Sequence, residues 1–197
     1  MCIRDSPYYP VTNEDGTIPR DLDVYKRANY ADITATNPYY NAMLPSENRS
    51  KILSVTNNTN LNWYIIDNLR WTASMSLNTT NTDNMNFTDP AHTKYASSDY
   101  TKQGEYSSSK SRSWRYTMNT GIAYALSLND HNLTFNGRAE IRSTSSNTES
   151  FVATGFPKGV GAIPSFAYSF KENSTPGYSE SISRGVSFLG TFNYNYK

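Results

Sequence analysis

Two histidines (His92 and His131), one cysteine (Cys2) and the acidic turn Asn13-Glu14-Asp15-Gly16 are the residues whose chemistry suits metal binding or nucleophilic attack. Their spacing argues against both. His92 falls in a long polar connection and His131 in a turn, and neither has a second His or a Cys nearby to complete a ligand set or activate a nucleophile. The acidic turn offers oxygen ligands and a glycine but lacks the distal acidic residue that closes a calcium loop, so it reads as an ordinary turn. No catalytic, metal or cofactor site is expected, and the chain reads as a non-enzyme.

The remaining charges are more informative. Arg70, Arg115, Arg138, Glu140 and Arg142 all occupy the polar parity of segments that alternate with period two. In 52–66, Leu53, Val55, Leu61, Trp63 and Ile65 alternate with Ser54, Thr56, Asn58, Asn60 and Asn62. Segment 69–79 sets Leu69, Trp71, Ala73, Met75 and Leu77 against Arg70, Thr72, Ser74 and Ser76. The same alternation recurs in 112–128 (Trp114, Tyr116, Met118, Ile122, Tyr124, Leu126, Leu128), in 133–142 (Leu133, Phe135, Ala139, Ile141) and in 185–196 (Val186, Phe188, Phe192, Tyr194, Tyr196). These are five expected strands. Composition agrees, since 14% of the 197 residues are aromatic, with Asn, Ser and Thr abundant and helix formers thin. A net charge of +1 supplies no field to draw nucleic acid.

The connections divide by length. Asp67-Asn68 and 129–132 are tight turns, whereas 80–111 and 143–184 are long and rich in Ser, Asn, Tyr, Gly and Pro. In an up-and-down sheet, the short connections then share one end and the long ones the other; segment 7–51 joins the long-loop end. Loops this long are uncommon in compact soluble domains, while outer-membrane barrels combine short periplasmic turns with long external loops.

No run approaches ~18 apolar residues, which removes helical membrane spans only, because a membrane strand needs just alternation. Aromatic placement fits a bilayer. Trp63, Trp71, Tyr194 and Tyr196 fall toward the short-turn end of the apolar face, and Trp114 and Tyr116 toward the long-loop end. Two interfacial bands are expected there, with ring faces in lipid and polar edges at the headgroups. The five charges then face a hydrated lumen, since an arginine on the lipid face at mid-bilayer costs ~2–4 kcal/mol. They could meet a plug or a passing solute, or simply be solvated. Loop aromatics Tyr39, Tyr40, Tyr95, Tyr100, Tyr106, Phe156, Phe166 and Tyr168 are candidates for stacking on substrate, although loop packing competes for them. Two other architectures remain open. A soluble, glycan-binding β-sandwich requires Trp63, Trp71 and Trp114 to be buried in one core, and a passive porin-like barrel requires no plug.

Residues 1–6, "MCIRDS", resemble the in-frame translation of a transposase sequencing adaptor, and Cys2 would go with them. The chain stops within the last expected strand, so residues 7–197 read as a piece of a longer protein.

"NPYYNA" (37–42), "TNNTNLNW" (56–63), "IIDNLRWTASMSL" (65–77), "ATGFP" (153–157) and "SRGVSFLGTFNYNYK" (183–197) resemble, in order and spacing, the barrel of the SusC/RagA family of TonB-linked outer-membrane transporters. The resemblance covers nearly all of 7–197. It departs at Thr154, where family members often carry an acidic residue, and at Tyr39, where an aliphatic residue is common. It implies a plugged barrel of about 22 strands, of which five lie here, with long extracellular loops. It also implies import of oligosaccharides or peptides, energy delivered by TonB, and a SusD-like lipoprotein lid over the mouth. Signal sequence, plug and TonB-contacting segment would precede residue 7.

Overall fold

The computed structural model describes residues 11–28 and 30–196. The adaptor-like residues 1–6 lie outside the described residues. Five long strands follow the expected order: β3 (Glu47–Ile66), β4 (Leu69–Thr88), β5 (Glu105–Leu128), β6 (His131–Thr154) and β8 (Gly177–Tyr196). Sheet neighbours run β3-β4-β5-β6, and β6 pairs antiparallel with both the two-residue β7 (Ser169–Phe170) and β8. β3 and β4 are joined through Asp67 and Asn68 alone, and β5 and β6 through Asn129 and Asp130. Asn129 adopts φ of 50°, a left-handed conformation that Asn tolerates better than most residues.

The strands exceed their expected lengths. β4 runs on to Thr88, β5 begins at Glu105, β6 continues to Thr154 and β8 starts at Gly177. In these extensions both parities are mostly Ser, Thr, Asn and charged residues, so the hydropathy alternation fades while backbone pairing continues. The connections shrink accordingly to 89–104 and 155–176.

Segment 7–51, expected as loop, also holds regular structure: the hairpin β1 (Asp21–Arg27) and β2 (Tyr30–Thr36), then helix α1 (Pro38–Met43). Asn37 explains the helix. Its side chain caps the Tyr39 amide at 3.0 Å, Pro38 occupies the first helical turn, and Asn37 Nδ2 donates to the carbonyls of Val11 and Pro19, each at 2.9 Å. Its relative exposure is 0%.

Contacts divide the chain into two compact units, one formed by Met1–Arg49, Met85–Ser108 and Phe151–Pro176, the other by Ser50–Asn84, Ser109–Ser150 and Gly177–Lys197. The first holds the hydrophobic core among the described residues. Phe87 and Phe156 meet edge to face at 5.3 Å, joined by Met85 and Ala153, with Tyr106, Phe151, Ala162 and Ala167 packed around them. The second unit is the two-faced sheet. Its apolar residues are not collected into a core: Trp63 is 57% exposed, Trp114 49% and Phe188 81%. That removes the sandwich expectation, which required the tryptophans to be buried.

Candidate functional site

The sheet keeps most of its apolar residues on one face; Ile52, Tyr64, Ile66 and Leu189 are exposed on the other parity, Leu189 directly opposite Arg138. From β6 to β8 the register sets Leu133 opposite Tyr194, Phe135 opposite Phe192, Ala139 opposite Phe188 and Ile141 opposite Val186. All of these have apolar parity. Between β4 and β5 the Trp71 indole N–H donates to Thr120 Oγ1 at 2.8 Å, and Trp63 meets Trp71 edge to face at 6.4 Å. Leu61, Trp71, Met75, Met118, Ala139 and Ile141, from four strands, line an apolar hollow of about 490 Å³. Farther along β5, Trp114 and Tyr116 pack at 5.6 Å.

At the turn end Tyr194 and Tyr196 flank His131, whose Nδ1 lies 2.7 Å from the Tyr194 hydroxyl. His131 therefore opens a strand and has partners, in place of the isolated turn histidine expected. His92 does lie in a connection, where Nδ1 accepts from the Lys94 amide at 3.1 Å. Partial burial, then the nearby Lys94 charge, push its pKa below the ordinary histidine value. The acidic turn spends Asp15 on itself: Oδ1 accepts from the Thr17 amide and hydroxyl at 2.9 and 2.6 Å.

The opposite face is mainly hydrophilic. Across β3 and β4, side-chain hydrogen bonds join Ser50 to Asn84 (2.7 Å), Ser54 to Thr80 (3.2 Å), Thr56 to Asn78 (2.7 Å) and Asn58 to Ser76 (2.7 Å). Sequence reading placed Ser54, Thr56, Asn58 and Ser76 on one face, assigned Ser50, Thr80 and Asn84 to connections, and missed the mutual bonding, whose signal is the shared period-two spacing of amides and hydroxyls on both strands. Beside this ladder, Arg70 and Arg138 line one hollow of about 410 Å³ with Asn60, Asn62, Thr72 and Asn119. Arg138 Nη2 donates to Asn119 Oδ1 at 2.8 Å and lies 3.5 Å from Glu140. Arg142 lies across Gly185, where an added Cβ would come within 3.0 Å of its Nε. Arg115 is exposed and does not line the hollow. Four arginines and one glutamate thus share this parity.

The loop aromatics separate by burial. Phe156 is a core residue and Tyr95 is buried, so their ring faces are spent on packing, and Tyr106 stacks on Phe151 at 5.8 Å. Burial, then the Glu105 charge, drive the Tyr95 hydroxyl far above the usual tyrosine range. Tyr40 is half-buried. Tyr39, Tyr100, Phe166 and Tyr168 are exposed, and Tyr100 meets Tyr168 at 6.5 Å.

The two long connections are clamped to each other. The Gly155 and Phe156 amides both donate to the Gln103 carbonyl, at 3.0 and 2.8 Å. Lys102 pairs with Glu172 at 2.5 Å and Lys171 with Glu105 at 2.8 Å. Gly155 has φ of +80°, and a Cβ there would lie 2.5 Å from the Thr101 carbonyl oxygen. Only glycine fits at this position of "ATGFP". Thr154 is buried.

Long paired strands with an exposed apolar face, a mainly hydrophilic opposite face, two-residue turns at one end and long connections at the other define a segment of an antiparallel up-and-down β-barrel. The comparisons agree with that class. The chain is similar to the solved structure of the RagAB peptide transporter (TM-score 0.68, 20% identity, covering 92% of this chain and 19% of that one). It is also similar to the RagAB peptide importer in its open-open state (0.66, 20%, 93% and 19%) and its closed-closed state (0.64, 18%, 93% and 19%). No family model and no curated protein matches. The chain thus spans about a fifth of the structures it matches, and at these identities the likeness shows the fold.

Proposed function

We propose that this chain is part of the barrel wall of an outer-membrane, TonB-dependent importer that takes up peptides or oligosaccharides with a SusD-like lipoprotein partner. The observation that carries the reading is the division of the sheet, with most of its apolar residues exposed on one face and Arg70, Arg115, Arg138, Glu140 and Arg142 on the other. The likeness to RagAB supports transport as the task. The apolar face meets lipid, with Trp63, Trp71, Tyr194 and Tyr196 at one interface and Trp114 and Tyr116 at the other. The arginine-bearing face lines the hydrated lumen. Tyr39, Tyr100, Phe166 and Tyr168 are the loop rings left available to stack on substrate; Tyr40 is a lesser candidate.

Import of large solutes needs a plug that opens on demand, so the wall supplies passage and the gating belongs to parts outside this stretch. The test is the reading frame around this stretch in its source DNA. A plug and a TonB-contacting segment upstream, with a lipoprotein gene beside it, are expected. A complete frame without a plug would overturn the importer reading.

A further inference from the structure

Two strands place a cation on the apolar parity next to the outermost residue of the apolar band toward the long connections, Lys51 beside Leu53 and Arg112 beside Trp114; on β8 Arg184 follows Val186, but Ile182 continues the apolar parity beyond it. On β4 and β6 the corresponding positions are uncharged, Thr79 and Ser143. The sheet draws two of the cations together. Lys51 and Arg112 line one hollow of about 680 Å³ with Leu53, Asn81 and Asp83. Both cations are exposed, and no ion pair involves either among the described residues.

We propose that this hollow binds the phosphate of an anionic membrane-lipid headgroup whose acyl chains run along the apolar face past Leu53 and Trp114. The site rests on reading that face as lipid-covered. Guanidinium and ammonium groups are the natural partners of phosphate, and Asn81 adds a neutral donor. Asp83 accepts from a headgroup hydroxyl, so a polyol-bearing phosphate fits better than a bare ion. General snorkelling of basic side chains at an interface explains an isolated cation but requires no preference among lipids. Two unpaired cations in one hollow, directly beside the start of the apolar band, do require one.

The test uses the complete protein that carries this chain, titrated in detergent with phosphatidylglycerol or phosphatidylcholine and read by native mass spectrometry. The wild type is expected to retain phosphatidylglycerol under conditions that strip phosphatidylcholine. The Lys51→Gln/Arg112→Gln double variant should bind it roughly 25-fold more weakly, from about fivefold per cation. Lys51→Arg/Arg112→Lys should keep binding, as should Arg70→Gln on the other face. Equal retention by wild type and the glutamine double variant overturns the site, and so does displacement by inorganic phosphate alone. Insertion of the wild type into phosphatidylglycerol vesicles, read by flotation, separates the two levels. A protein that does not insert sinks the barrel assignment and the site together, whereas an inserted protein with equal retention sinks the site alone.

Discussion

Replacing Gly155 with alanine should open the clamp between the two long connections. The residue sits at φ of +80°, and a Cβ would lie 2.5 Å from the Thr101 carbonyl oxygen and 2.6 Å from Tyr168 Cβ. Left-handed backbone costs a non-glycine residue about 1–2 kcal/mol. The backbone must also shift to relieve the overlap, which breaks the bonds from the Gly155 and Phe156 amides to Gln103, worth about 1 kcal/mol each. The local loss is therefore about 3–4 kcal/mol. Gly159 is the matched control: its φ is +81°, but nothing lies within 4 Å of the Cβ position, so alanine there costs only the conformational ~1–2 kcal/mol. The ~2 kcal/mol difference corresponds to about 30-fold more frequent local opening. Hydrogen exchange followed by mass spectrometry on the complete protein reads it in peptides spanning 101–106 and 151–156, with 114–122 as an unaffected reference. If Gly155→Ala exchanges no faster than Gly159→Ala, the close-approach argument is wrong.

Met75→Arg places a charge on the apolar face and should cost about 2–4 kcal/mol in a bilayer, whereas Ser76→Arg, one position on, should be nearly neutral; urea unfolding in lipid vesicles compares them. Asn37→Ala removes a helix cap and leaves the Val11 and Pro19 carbonyls without their donor, so α1 and the neighbouring hairpin should lose about 2–4 kcal/mol, visible as faster exchange in 11–44. His92 has a depressed pKa in the folded state. Protonation therefore favours the unfolded connection: the stability that neutral His92 allows is complete above the ordinary value of about 6.5 and declines below it until the folded pKa is passed. An NMR titration of the His92 ring should show a midpoint below 6.5, and a midpoint at or above it contradicts the burial argument.

The faces of the long strands were legible because most apolar residues of each strand share one parity, and a one-residue error would have turned Trp71 and Arg70 into each other's surroundings. The register confirms the assignment from Leu133 opposite Tyr194 through Ile141 opposite Val186. Strand ends were not legible. Past Leu77 and before Trp114 the sequence is hydrophilic on both parities for several residues, and neighbouring strands rather than hydropathy hold the backbone extended. The small hairpin before α1 does alternate, Leu22 and Val24 against Asp21 and Asp23, then Ile33 and Ala35 against Thr34 and Thr36, but its strands of 7 residues each carry too few apolar positions to stand out, although the Asn37-Pro38 pair carried a readable helix-start signal. At the candidate site, residue types placed the arginines on one face, but only the fold brings Arg70 and Arg138 to one hollow while leaving Arg115 outside it. Burial of Phe156 depends on a partner far along the chain, Phe87, which no local window contains.

On the proposed lumen reading, the ladder of Ser, Thr and Asn across β3 and β4 bears on how a solute would travel. Groups already bonded to one another, such as Thr56 with Asn78 and Asn58 with Ser76, give up one partner to gain another, so each encounter exchanges bonds at little net gain. A peptide or sugar moving along such a wall meets many shallow wells and no deep one. On the same reading its drift would meet low molecular friction, and the longer dwell times would fall to the proposed lumen hollow of Arg70 and Arg138 and to the loop rings.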